Sequence, residues 1–167
     1  SICMNKGGIY ETAVYDSMAS AVYQDSAWWR TTNTSSPIEC RMLALHDYYE
    51  LIKAQDSVYY YNLAVSKFDS IYNNTSDSSS IRSLALLLKG DVKERMDSLS
   101  QAISVYSSIV QNFPYKADSI PAAWRIHYLT AIQDTASRHS LISLYDPNVL
   151  HDIKRCQFHP SQSYKRS

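Results

Sequence analysis

The sequence predicts an all-α fold, built from antiparallel helical hairpins packed one after another. Three observations carry that expectation. Through most of the 167 residues, apolar side chains recur at i, i+3, i+4 and i+7 rather than alternating, which is the period of a helix with one buried face. Turn formers are scarce, with three Gly and five Pro, and that suits helices joined by short connections better than many short strands. Finally, AVSKFDSIYNN at 64–74 returns as AISVYSSIVQN at 102–112, so that Ala64 meets Ala102, Phe68 meets Tyr106 and Ile71 meets Ile109 at a constant offset of 38.

Taken in order, residues 1–9 read as an extended start, 10–156 as one helical domain and 157–167 as a polar, flexible tail. Between Tyr10 and Trp29, Val14, Met18, Ala21, Val22 and Tyr23 share a blurred helical face. TTNTSSP at 31–37 breaks it, with Ser36 placed as cap and Pro37 at the first helical position. Ile38, Met42, Leu45, Tyr49 and Ile52 then stripe a second helix. Asp56 and Ser57 interrupt and recap the chain before Tyr61, Ala64, Val65, Phe68, Ile71 and Tyr72 stripe a third. A polar loop at 73–80 leads into IRSLALLLKGDVKERM, a tight turn at 96–98 and the partner helix LSQAISVYSSIVQNF. After Pro114, Asp118-Ser119 opens IPAAWRIHYLTAIQ. SRHSLISLY, a break at Asp146-Pro147 and NVLHDIKRC close the chain, giving six or seven helices.

The recurrence has a second register. LAL at 43–45 recurs at 84–86 with an offset of 41, which assigns about three extra residues to the inter-helix turn of the earlier unit. A helix pair repeating every 34 to 45 residues or so is the mark of an α-solenoid. The unit resembles the tetratricopeptide repeat: Ala102, Tyr106, Ile109 and Pro114 stand in the relation of its second-helix residues, and Gly90 lies twelve before Ala102. A Gly facing an Ala would let two helices approach closely, with the aromatic filling the gap toward the next pair. Around 37–76, Tyr48, Leu51, Ala64, Phe68 and Ile71 fit the same pattern, while Ile52 replaces the Gly and Ser76 the Pro. Lys89 and Lys93 stand where apolar residues are usual. The join SIVQNFPYKADSIPAAWRI is similar to linkers of bacterial envelope members of that family, apart from Pro121. The resemblance implies a short right-handed solenoid and a periplasmic or outer-membrane-associated setting.

Charge and composition narrow the function. Lys plus Arg equals Asp plus Glu at 16 each, so no net field draws in nucleic acid. No stretch approaches 18 apolar residues, so no membrane span is expected. Cys3, Cys40 and Cys156 allow at most one bridge, and Cys3 as a lipid-bearing cysteine is a minor alternative. His151, Cys156 and His159 do not follow a zinc spacing, and neither a phosphate loop nor a hydrolase motif is present. No catalytic residue, metal or cofactor is expected. The sequons at Asn33, Asn73 and Asn74 fall in expected loops. Asp-Ser occurs seven times, at Asp16, Asp25, Asp56, Asp69, Asp77, Asp97 and Asp118, and capping accounts only for those at 56, 97 and 118.

What remains is a binding role. Three tyrosines in a row, Tyr59-Tyr60-Tyr61, cannot all face one core, so Tyr59 or Tyr60 should be partly exposed. Trp28 and Trp29 stand just before a break. Packing between hairpins is the stronger reading of these aromatics, and contact with a partner the other. In the resembling family first helices line a concave groove, which nominates Arg41, Tyr48 and Lys93. The expectation is a non-catalytic scaffold for another protein or peptide, as a subunit of a larger assembly. The alternative is a module that stacks carbohydrate or another small ligand on Trp28, Trp29 and the tyrosines.

Overall fold

The computed structural model describes residues 17–76 and 79–145. Six helices make up the described residues: α1 Ser17–Thr32, α2 Ile38–Gln55, α3 Val58–Asn74, α4 Ser80–Arg95, α5 Leu99–Asn112 and α6 Ser119–Tyr145. No strand occurs among them, so the all-α expectation holds. The chain forms two compact units that part between Ile126 and His127. The stretches expected to be extended or flexible, 1–9 and 157–167, lie outside the described residues, as do the helix expected near 149–156 and the group His151, Cys156 and His159.

In the first unit α2–α3 and α4–α5 are helical hairpins, stacked so that α3 packs along α4 and α2 touches α4. α1 packs along α2 and repeats the buried spacing of a second helix. Gln24, Ala27 and Thr31 are buried, as are Tyr61, Ala64 and Phe68 thirty-seven residues later. Among the described residues the array therefore opens on an element of second-helix type. Its core runs continuously from Ala27 through Leu45, Tyr48, Tyr49 and Ile52, then Phe68 and Ile71, to Leu84, Leu88 and Val92. Burying each large apolar side chain contributes about 1.5–3 kcal/mol before its ordering cost.

Local chemistry sets the boundaries. α1 runs on to Thr32 because the threonines bond backwards, with Thr31 Oγ1 donating to the Ala27 carbonyl at 2.9 Å and Thr32 Oγ1 to that of Trp28 at 3.1 Å. Pro37 stands one place earlier than expected, as the N-cap; its carbonyl accepts the first helical N–H, from Arg41. The Asp-Ser pairs at the hairpin turns act differently from the expected caps. Ser57 and Ser98 hold the N-cap positions without a side-chain cap bond. It is the aspartates that turn the chain, with Asp56 at φ 42° and Asp97 at φ 57°. This left-handed conformation ends helices and is usually left to Gly. Around Asp97 the N–H of Ser98 reaches the Lys93 carbonyl and that of Asp97 the Glu94 carbonyl, both at 2.9 Å, which together close a Schellman motif.

The three extra residues of the first hairpin are not in its turn. The turns correspond at Asp56-Ser57 and Asp97-Ser98, 41 apart, yet Ala64 and Ala102 are 38 apart. The surplus is therefore helical, an added turn at the start of α3 that carries Val58, Tyr59 and Tyr60. Asn73 and Asn74 also belong to the last turn of α3 rather than to a loop.

The second unit, from His127 on, continues α6 without a break to Tyr145. Two segments separated near 134–137 were expected there. QDTAS contains neither Gly nor Pro, and Thr135 Oγ1 donates to the Ala131 carbonyl at 2.8 Å, so nothing stops the helix.

Candidate functional site

Two polar relays of the same design join the helices of the array. In the first, the Tyr49 hydroxyl of α2 donates to Asp91 of α4. Arg95, one turn on, lies 3.5 Å from the same carboxylate and also meets the hydroxyl of Tyr61, which donates to Asp56 at 2.7 Å. In the second, Tyr106 of α5 donates to Glu94 of α4, and Arg125 near the start of α6 grips both oxygens of that carboxylate. Both relays are anchored on α4, whose Asp91 takes a tyrosine hydroxyl from α2 and whose Glu94 takes one from α5. Burial first, and then the adjacent carboxylate, raises the pKa of Tyr49 and of Tyr106. Asp91 and Glu94 are committed to these bonds, which leaves neither as a free base.

The three residues nominated for a groove, and Trp28 with them, are placed in structural roles or half covered. Tyr48 is 2 % exposed; its ring lies 5.4 Å from that of Trp28 and 6.3 Å from that of Phe68, and its hydroxyl has no hydrogen-bond partner among the described residues. A side chain so covered cannot meet a partner. Arg41 sends Nε to the Thr31 carbonyl at 2.8 Å. Arg82 makes the equivalent bond to the Tyr72 carbonyl at 2.9 Å, with its guanidinium 3.9 Å from the centre of the Tyr72 ring. Each arginine opens a first helix and seals the end of the helix before it, where a cation suits the helix dipole. Arg41 and Arg82 are 41 apart, so the second register already held this clue. Trp28 is half-buried, with Lys67 Nζ 4.7 Å from its ring. Lys93 is half-buried on α4. Lys89 reaches Asp69 of α3 at 2.7 Å, so its charge is paired across the two helices.

The aromatics divide as the triple tyrosine suggested. Tyr61 is buried, Tyr60 half-buried and Tyr59 70 % exposed, with the rings of Tyr59 and Tyr60 edge to face at 5.2 Å. Trp29 is 65 % exposed. Two further anchors went unnoticed in the sequence: Tyr115, 99 % exposed in the linker before α6, and Trp124, 73 % exposed on its second turn. Ala122 faces the core and Arg125 turns toward α4, so Ile120 and Trp124, four apart, share the opposite side. That pattern could have been read from PAAWR, had the segment been treated as a helix face rather than as a join.

The linker itself is docked. Phe113 is buried, Lys116 Nζ lies 3.1 Å from Ser80 Oγ, and Asp118 accepts from the buried Ser83 hydroxyl at 2.6 Å. Tyr115 and Trp124 are therefore held on a fixed support. Cys40 of α2 takes part in a disulfide, and Cys3 and Cys156 lie outside the described residues. No group of three His, Cys, Asp or Glu side chains suited to a metal ion occurs among the described residues. No described helix is long and apolar enough to cross a membrane. Comparison of the chain with protein-family models, with curated proteins and with solved structures finds no match.

Proposed function

We propose that this chain is a tetratricopeptide-like scaffold that binds another protein, as one member of a larger assembly. The observation that carries the proposal is the exposure of Trp124 and Tyr115 on a linker tied to α4 at both ends. Large aromatics held in solvent by a rigid support provide contact area at low entropic cost, and such residues dominate binding hot spots. Trp29 and Tyr59 are secondary anchors on α1 and α3. Arg41 and Tyr48 drop out of the contact set, and Trp28 packs against Tyr48. The disulfide at Cys40 favours an oxidising compartment, which fits an envelope setting.

The test is photo-crosslinking in cells, with the crosslinker placed in turn at Trp124, Tyr115, Tyr59 and Gln101. One discrete product at Trp124 and Tyr115, absent at the uncharged Gln101 on α5, is the expected result. No product at any aromatic position, or equal products at all four, would refute the scaffold. Carbohydrate stacking on Trp124 is the other use of an exposed indole, and it would appear as saturable quenching of tryptophan fluorescence by soluble glycans.

A further inference from the structure

We infer that the serines of the recurrent Asp-Ser-apolar tripeptide are acceptors for an O-linked sugar, with Ser26 and Ser70 as principal sites. The chain's 12 Asp and 26 Ser would place Asp before Ser about twice by composition alone, yet the pair occurs seven times, and six of those are followed by an apolar residue. No shared conformation explains this. Asp25-Ser26-Ala27 and Asp69-Ser70-Ile71 lie inside α1 and α3, while Asp56 and Asp97 are left-handed turn residues and Asp118 precedes α6. Nor do the carboxylates share a partner: Asp69 pairs with Lys89, Asp56 accepts from Tyr61 and Asp118 from Ser83. A tripeptide kept across unlike structures is being read as sequence, and its constant nucleophile is the hydroxyl.

Ser26 and Ser70 are both exposed, and the Ser26 hydroxyl donates to the Val22 carbonyl of its own helix at 3.0 Å. The face of α3 around Ser70 is short of charge, its exposed residues including Asn62, Ser66, Asn73 and Asn74; beside Ser26, Arg30 Nε lies 3.2 Å from the Ser26 carbonyl. Surfaces usually gain solubility from charge, and a neutral glycan supplies the same hydration. A phosphate would instead add about two negative charges beside an Asp carboxylate. The disulfide at Cys40 also favours an oxidising compartment, where secreted chains are glycosylated. In the transfer, serine Oγ attacks the anomeric carbon of a sugar carried on a phosphate. The new C–O bond forms as the bond to phosphate breaks, the phosphate departs with the electron pair, and the hydroxyl proton passes to a base of the transferase. Ala27 and Ile71, which complete the two tripeptides, are buried, so the transferase reads the chain before α1 and α3 pack.

The test is mass spectrometry of the full chain purified from the organism that encodes it, with fragmentation that retains labile side-chain groups. Peptides holding Ser26 and Ser70 should carry sugar mass, while those holding Ser66 and Ser104, exposed but not preceded by Asp, should carry none. Asp25→Asn should remove the sugar from Ser26 and leave that on Ser70. Unmodified peptides at both sites, an increment of phosphate mass, or equal modification of Ser66 and Ser104 would each overturn the inference.

Discussion

The two hairpins solve the same packing problem in opposite ways. In α4–α5, Tyr106 lies flat on Gly90: a Cβ added there would come within 2.6 Å of the ring's Cζ and 2.8 Å of Cδ1. In α2–α3 the counterpart of Gly90, 41 residues earlier, is Tyr49, and the aromatic opposite it is Phe68. Their rings meet at 6.0 Å, with Tyr48 and Trp28 completing the stack. Accordingly the backbones of α4 and α5 run close over much of their length, and those of α2 and α3 do not. One hairpin is closed by an absent side chain and the other is propped open by aromatic rings.

Removing the prop should do the most damage. Phe68→Ala leaves Tyr48, Tyr49 and Trp28 around a void that three rigid rings cannot close. The expected loss is about 4 kcal/mol in urea-unfolding free energy. A loss under about 2 kcal/mol would mean that the stack collapses easily and that the comparison of the two hairpins is wrong. Gly90→Ala tests the closed hairpin. Ala gains about 1 kcal/mol of helix propensity over Gly. However, overpacking against a buried, hydrogen-bonded ring costs about 1–3 kcal/mol, so a net loss of about 1 kcal/mol is expected. Adding Tyr106→Leu should abolish that loss in a double-mutant cycle.

Alkaline titration separates the hairpins by charge. The pKa values of Tyr48, Tyr49 and Tyr106 are raised, chiefly by burial. Each therefore contributes stability that is fully present below the unfolded value near 10 and is lost as pH rises toward the folded value. Stability should fall above about pH 10 by as much as about 1.4 kcal/mol per pH unit for each such tyrosine. Two of the three lie in the first hairpin. Tyr49→Phe should flatten the decline seen by urea unfolding at pH 10 to 11.

Much of this was legible in the sequence. Period 3.6 patterning located α2 to α5 within a residue or so, because their apolar stripes are long and their ends carry polar breaks. The equivalence of Gly90 and Tyr49 was missed because the two registers, 38 and 41, were reconciled at the turn rather than inside α3. Local pattern cannot say which side of a turn absorbs an insertion, since both choices keep every apolar stripe intact. Tyr48 was misplaced for a different reason: the resemblance puts first-helix residues on a groove, whereas the wide spacing of α2 and α3 makes room in the core for both Tyr48 and Tyr49. Arg41 and Arg82 were open to recognition, as a pair at the same offset with the same task.

The smallest effect is the sharpest test of how far the hairpins correspond. Asp56 and Asp97 occupy matching left-handed positions, where Gly avoids the Cβ penalty. Asp97→Gly removes that penalty, and among the described residues no hydrogen bond from the Asp97 side chain opposes the gain. It should stabilise the chain by about 0.5–1 kcal/mol. Asp56→Gly relieves the same penalty but strips Tyr61 of its acceptor at 2.7 Å, a loss of about 1 kcal/mol, and should come out neutral or slightly destabilising. Tyr61→Phe then separates the two terms, because in that background Asp56→Gly should become as favourable as Asp97→Gly when unfolding midpoints are compared. If it does not, the turns differ in strain as well as in partners. The extra helical turn bearing Tyr59 would then have reshaped the first hairpin down to its backbone.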